Sequence, residues 1–304
     1  MEIVCRDDTR IVMIGLILEG GGMRAGFVAG ATMALMDNGV TQFDLGVASS
    51  ASVPTLAYFA TRQREEMETV WRYELNTPKL VCYRNIPYAS LTLSPKRPIL
   101  DIDYLVYDVF KRKYPLDLFH IDMTCLFTVT RVSDGRLVLL GPGDDDIYRL
   151  FKASLAVPGC YPSAVSLGED KYVDGGTVDP LPVKVLINHN IDKILAILSK
   201  PIDCEGEPPT LFERTLFWRY FHRYDWMLER LWEAAQAYNE QVSLLESMAQ
   251  KDPPEAFILC PDRMPPVKFI TRDKNKINRT IDLGYRKAMI RMDEIKSFLN
   301  LSTR

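Results

Sequence analysis

Short runs that are apolar throughout alternate along this chain with longer Ala-rich or amphipathic stretches, the pattern of strands buried on both faces and helices that cover them. Ile11–Leu18 predicts a buried strand, Arg24–Asn38 a helix ended by Asn38-Gly39, and Phe43–Val47 a second strand. Strand, helix and strand within about forty residues make one parallel unit. Helices follow at Ser50–Gln63, Met67–Leu75 and Asp103–Lys113, with the Pro-rich stretch Pro78–Pro98 between the last two. Thr124–Arg131 and Arg136–Leu140 flank Ser133-Asp134-Gly135 and predict a hairpin. Ile147–Leu155 and Val183–Asn188 are helical in pattern, Lys171–Val173 is extended, and Lys193–Leu198 is a further buried strand. The order predicts an α/β fold with a mostly parallel sheet flanked by helices.

Beyond Pro201 the pattern changes to a long helix over Leu211–Gln250, a strand at Ala256–Cys260 and a charged helix over Lys274–Asn300. We therefore expect an α/β core over residues 11–203 and a mostly helical extension, 204–304, packed on it. In the long helix Phe212, Phe217, Trp218, Tyr220, Phe221, Tyr224, Trp226 and Trp232 interleave with Arg214, Arg219, Arg223 and Arg230. Such a mixture suits either a lipid interface or packing on the core.

Composition narrows the chemistry. A chain of 304 residues with 47% hydrophobic and 25% charged residues can bury a large core. Its net charge of −3 supplies no basic field for nucleic acid. The six cysteines are scattered without a CxxC pair or a histidine at ligand spacing, so the sequence implies no metal site and no disulfide framework. Reduced thiols in a cytoplasmic protein are the expectation. No apolar run reaches the ~18 residues of a spanning helix, so any membrane contact is expected to be peripheral.

The first strand stops at Gly20-Gly21-Gly22, followed by Met23 and Arg24. Consecutive glycines before a helix leave backbone N–H groups unshielded where an anion is favoured. That turn serves either a dinucleotide phosphate, through Gly20, Gly22 and Ala25, or an oxyanion formed during acyl transfer. The dinucleotide reading needs an acidic residue at the end of the second strand; Asp44 stands at its start, and Ser49 and Ser50 stand at its end. No cofactor is implied.

Ala48-Ser49-Ser50-Ala51-Ser52 passes from strand to helix without a loop, where a nucleophile elbow requires small residues two places before and after the serine. Ser49 has Val47 and Ala51 as those flanks, Ser52 has Ser50 and Pro54, and Ser50 has Ala48 and Ser52. The rule favours Ser50; a helix-capping cluster is the structural alternative. Among the three histidines, His120, His189 and His222, none has a motif around it. Asp174, at a strand end before Gly175-Gly176, is the favoured partner, over Asp179 and Asp170, and a plain turn-forming Asp-Gly pair is its structural alternative.

Gly20–Arg24, Ser50 in its elbow and Tyr172-Val173-Asp174-Gly175-Gly176, together with Ala153–Pro158, resemble the patatin-like phospholipase family. The resemblance covers roughly residues 14–200 and implies a three-layer α/β/α fold and a serine lipid acyl hydrolase acting on acyl lipids. It assigns Ser50 and Asp174 to a catalytic dyad and Gly20, Gly21, Gly22, Met23 and Arg24 to the oxyanion hole. Ala48, Ser49, Ala51 and Ser52 become the elbow flanks. The family usually has glycine where this chain has Ala25, Ala48 and Ser52, which keeps a second expectation open: a lipid-binding protein of weakened or lost activity. Oligomeric state is left open.

Overall fold

The apolar run ahead of the glycines forms strand β1 (Ile14–Leu18), whose Ile14 N–H donates to the Asp44 carboxylate, as the preceding Met13 N–H does to that of Asp192. The computed structural model describes residues 12–87, 97–206 and 225–301. A single turn of 3₁₀ helix, Gly22–Ala25, leads into helix α1 (Gly26–Asp37), and the chain returns through β2 (Leu45–Ala48). Helices α2 (Val53–Ala60) and α3 (Arg64–Thr69) follow. β3 (Thr124–Arg131) and β4 (Leu137–Leu140) form the expected hairpin, and α4 (Ile147–Leu155) packs behind it. β5 (Val165–Leu167) and β6 (Asp170–Asp174) make a second hairpin, of which the sequence pattern showed only the latter half. α5 (Val183–Asn188) and β7 (Lys193–Ile197) complete the predicted core.

Among the described residues the sheet has eight strands in the order β5-β6-β3-β2-β1-β7-β8, with β4 paired to β3, where β8 is Ala256–Leu259. Pairs among β3, β2, β1, β7 and β8 are parallel, and the two hairpins and β3–β6 are antiparallel. One consequence positions the site. β3 is twice as long as β2, so its first half pairs with β2 through Phe127, and on the same side its second half pairs with β6 from Val129 onward. The end of β6 is thereby delivered to the end of β2.

Helix α1 is buried from Gly26 to Leu35, as its unbroken apolar and small composition requires. It is covered by α7 (Lys274–Ile290), which crosses at glycines: a Cβ on Gly30 would run into the Ile281 carbonyl oxygen, and one on Gly284 into that of Phe27. The sequence predicts one terminal helix, yet the structure breaks it at Arg291 into α7 and α8 (Met292–Phe298). Arg291 turns its guanidinium onto Glu294, the Ile258 carbonyl and the Phe257 ring.

Two predicted α-helices are π-helical instead, over Val70–Glu74 and Tyr104–Lys113. The first of them continues α3, which starts at Arg64, three residues before the predicted beginning. Of the long predicted helix, α6 (Asp225–Ala249) is present; the aromatic stretch Leu211–Tyr224 lies outside the described residues, as do the side chains of Trp226 and Trp232. No helix among the described residues is long and apolar enough to cross a membrane.

Candidate active site

β1 and β2 are parallel neighbours in register Leu18 to Ala48, so the glycine turn and the serine turn leave the sheet side by side. Their approach explains the small residues. A Cβ on Gly20 would lie 2.8 Å from both the Ser49 carbonyl oxygen and the Ser50 Cβ. Ala48 is buried in the strand, and Ser52 donates its hydroxyl to the Glu19 carbonyl at 2.6 Å, tying the elbow to the neighbouring turn.

The three serines differ in backbone. Ser49 is extended, with φ −120°, and its hydroxyl is buried without a hydrogen-bond partner among the described residues. Ser52 is in the right-handed helical region and its hydroxyl is occupied. Ser50 has φ +52°, in the left-handed region that costs an L-residue about 1–2 kcal/mol, and lines a cavity. Pro54 follows within the first turn of α2, where its missing N–H leaves no bond unmade.

Asp174 ends β6, its N–H bonded to Ala156 O at 3.2 Å and its carbonyl held by Thr130 Oγ1 at 3.0 Å. Oδ1 accepts the Gly176 N–H at 2.7 Å. The Ser50 hydroxyl faces the carboxyl group and favours its ionised form, while Oδ2 has no partner at hydrogen-bonding geometry among the described residues. Complete burial dominates and pushes the pKa up to about 7. Gly175 has no room for a side chain, because a Cβ would strike Thr128. The rival Asp179 is also raised by burial, to about 6, but both its oxygens are engaged, by Leu181 N and Gln241 Nε2. Asp170 opens β6 and lies 3.7 Å from Arg131.

Within the glycine turn, Gly21 has φ +129° and Gly22 φ +60°, conformations that only glycine adopts without strain. Met23 N–H is bonded to Phe269 O at 3.0 Å and Arg24 N–H to Gly21 O at 3.3 Å. Those two amides are therefore occupied. The N–H groups of Gly20, Gly21 and Gly22 have no acceptor among the described residues and are free for an anion. Arg24 Nε is buried without a partner among the described residues.

Glu19 lies under the turn. It is buried, its carboxylate accepts the Ser199 N–H, and its pKa is raised by burial against the opposing pull of Ser199, Lys200 and Arg24. The sequence showed a charged residue closing an apolar strand, a signal that went unassigned. Phe269, in the loop before α7, was missed outright: its carbonyl holds Met23, and a Cβ on Gly22 would collide with it. His120 is exposed and bonded to Asp117, His189 caps α5 through Val185 O, and His222 lies outside the described residues.

A cavity of about 70 Å³ opens beside Ser50. Its wall is apolar and draws on α2, on both π-helical segments and on Phe269, with Thr55 and Tyr58 contributing hydroxyls already bonded to protein. π-helical turns of this kind frequently border functional sites. Among the described residues no three His, Cys, Asp or Glu side chains are grouped as a metal site.

Comparison with known proteins places these features in context. The family model described as Patatin-like phospholipase matches residues 16–187. The chain is 28% identical over 195 residues to "Uncharacterized protein YjjU" of Escherichia coli (strain K12), covering 62% of this chain and 52% of that protein. It thus spans about half the length of that curated relative. Among solved structures it resembles VipD from Legionella pneumophila with a TM-score of 0.50 at 11% identity, over 93% of this chain and 67% of that one. Human GIVD cytosolic phospholipase A2 gives 0.46 at 12% identity, over 95% and 59%. At such identity the VipD likeness speaks for the fold alone.

Proposed function

Because this chain belongs to the patatin-like phospholipase family, we propose that it is a serine lipid acyl hydrolase that cleaves carboxylic esters of acyl lipids through a Ser50–Asp174 dyad. One observation carries the reading. Ser50, on a left-handed elbow, faces a buried carboxyl group beside three glycine amides, and among the described residues one carboxyl oxygen and all three amides have no hydrogen-bond partner.

In the first step Ser50 Oγ attacks the ester carbonyl while its proton passes to Asp174 Oδ2. The carbonyl oxygen becomes an oxyanion held by the N–H groups of Gly20, Gly21 and Gly22, and collapse transfers the Asp174 proton to the leaving alcohol. Water then repeats the sequence on the acyl-enzyme, again giving its proton to Asp174. An ordinary carboxylate with a pKa of ~4 is a weak base for such work. Burial improves it: at about 7 the group is ionised above neutrality yet basic enough to receive a proton. Arg24, half-buried beside the turn, adds positive potential.

The family's missing glycines are accommodated in this geometry. Ala25 is buried at the start of α1, Ala48 pairs with Leu18, and the Ser52 hydroxyl satisfies Glu19. Treating the protein with a fluorophosphonate and with p-nitrophenyl butyrate tests the proposal. Labelling and turnover are expected in the wild type and absent in Ser50→Ala, and Asp174→Asn is expected to lose turnover. Labelling retained by Ser50→Ala would remove Ser50 from its role; a wild type inert to both reagents would remove the hydrolase reading.

A further inference from the structure

Resting on that reading, we propose that the cavity beside Ser50 takes the acyl chain of the scissile ester, and that Trp71, anchored on Thr55, limits that chain to about eight carbons.

The cavity follows one stripe of the elbow and α2: Ser50, Ala51, Pro54, Thr55 and Tyr58 all line it. These positions share a face because they are spaced by three and four residues. At about 1.5–2 Å of rise per residue, Ser50 to Tyr58 measures about 12–14 Å. Tyr58 ends the stripe, its hydroxyl fixed on Tyr114 O at 2.7 Å and its ring packed against Phe110 at 6.1 Å between centroids. An extended chain built from C–C bonds of about 1.5 Å advances about 1.3 Å per carbon, so the full stripe accommodates about ten carbons.

Trp71 shortens that path. Its indole is buried and lines the same cavity, and Nε1 donates to Thr55 Oγ1 at 3.0 Å, halfway along the stripe. A fixed indole at that point narrows the passage between about six and ten carbons. The volume points in the same direction, towards short chains: about 70 Å³ is less than half of the ~150 Å³ of a cavity that admits benzene. A chain that reaches the middle of a bilayer, half of a core about 30 Å thick, needs about 15 Å and does not fit. The substrate class is therefore an ester of a short or medium acyl chain.

Initial rates on p-nitrophenyl butyrate, octanoate and palmitate, kept below their aggregation limits, test this. The wild type is expected to favour butyrate and octanoate over palmitate by about tenfold or more in kcat/KM, since misfit of a few methylenes in a closed apolar site is worth at least that much. Trp71→Ala is expected to raise the palmitate-to-butyrate ratio about tenfold. Should that variant fail to fold, Thr55→Val keeps the volume and releases the indole, with a smaller rise in the same direction. Labelling rates with short and long alkyl fluorophosphonates give the same comparison without turnover. Equal or better use of palmitate by the wild type, or an unchanged ratio in the folded variants, overturns the limit and leaves the hydrolase intact. Inertness to every ester and every fluorophosphonate overturns both.

Discussion

Glycine is used at the carboxyl edge of the sheet and at the crossing of α1 with α7, and the two regions turn it to opposite ends. At the crossing, Gly30 and Gly284 let each helix receive the other's backbone, and the nearby hydroxyls are satisfied, Thr32 on Val28 O and Thr280 on Lys276 O. At the edge, glycines bare their amides instead. Around them Ser49 Oγ, Thr128 Oγ1, Asp174 Oδ2, Ser199 Oγ and Arg24 Nε are buried with no partner at hydrogen-bonding geometry among the described residues. Each such atom costs about 1–3 kcal/mol. Among the described residues of α1 and α7, Asn278 Oδ1 alone is left in that state, so the unpartnered atoms gather at the edge, where the proposed chemistry takes place, and the crossing is left to packing. Both kinds of glycine contact are invisible to a hydropathy pattern.

The comparison breaks most directly at Ser50. Ser50→Ala is expected to lower kcat by about 10⁴-fold or more, with a melting temperature equal to the wild type's, because the proposed role of this side chain is chemistry and not packing. Calorimetry beside the ester assay checks both halves. Gly284→Ala should do the reverse: its Cβ has no space against Phe27 O, so α7 must move off α1. A loss of about 3 kcal/mol in denaturant unfolding is expected, with activity per folded molecule retained at low denaturant.

Asp174 sharpens the contrast through pH. Its folded pKa of about 7 exceeds the 3.8 of an unperturbed aspartate, so between those values the folded state holds a proton that the unfolded state has released. Stability contributed by this group is therefore present at low pH and lost as pH rises towards 7. The expected loss, a few kcal/mol, should vanish in Asp174→Asn when urea midpoints are compared at pH 4 and pH 8. Activity runs the opposite way and should rise through about pH 7 as the carboxylate ionises. A wild-type profile already flat from pH 5 would contradict the burial of this base.

The smallest effect is expected at Glu19. Glu19→Gln keeps an acceptor for the Ser199 N–H and removes the charge beneath the glycine turn. A fall of about tenfold in kcat with KM unchanged would mark it as a positioning residue for the oxyanion amides. An unchanged kcat would return it to a purely structural role.

Much of the frame was legible in the sequence because it is written locally. Thr124–Arg131, Ile147–Leu155 and Val183–Asn188 form with the predicted boundaries, and the glycine and serine turns fall on one sheet edge, since apolar runs and helix stops act over a few residues. The short β5 lacked enough residues to show a period, and the break at Arg291 depends on a ring and a carbonyl reached from another strand. The π-helical turns interrupt patterns that periodicity reads as ordinary helix.

By itself, then, the chain determined a parallel α/β core, a turn that bares its amides, and a short choice among serines and aspartates. Tertiary structure decided the rest. The long β3 pairs first with β2 and then with β6, which sets Asp174 beside Ser50 across more than a hundred residues of sequence. Burial raised that carboxyl group to about 7, and Phe269 from the C-terminal part closed the turn on Met23. Spacing carries no information about such things: desolvation and steric closure depend on what arrives from elsewhere in the chain, and only the folded molecule brings it there.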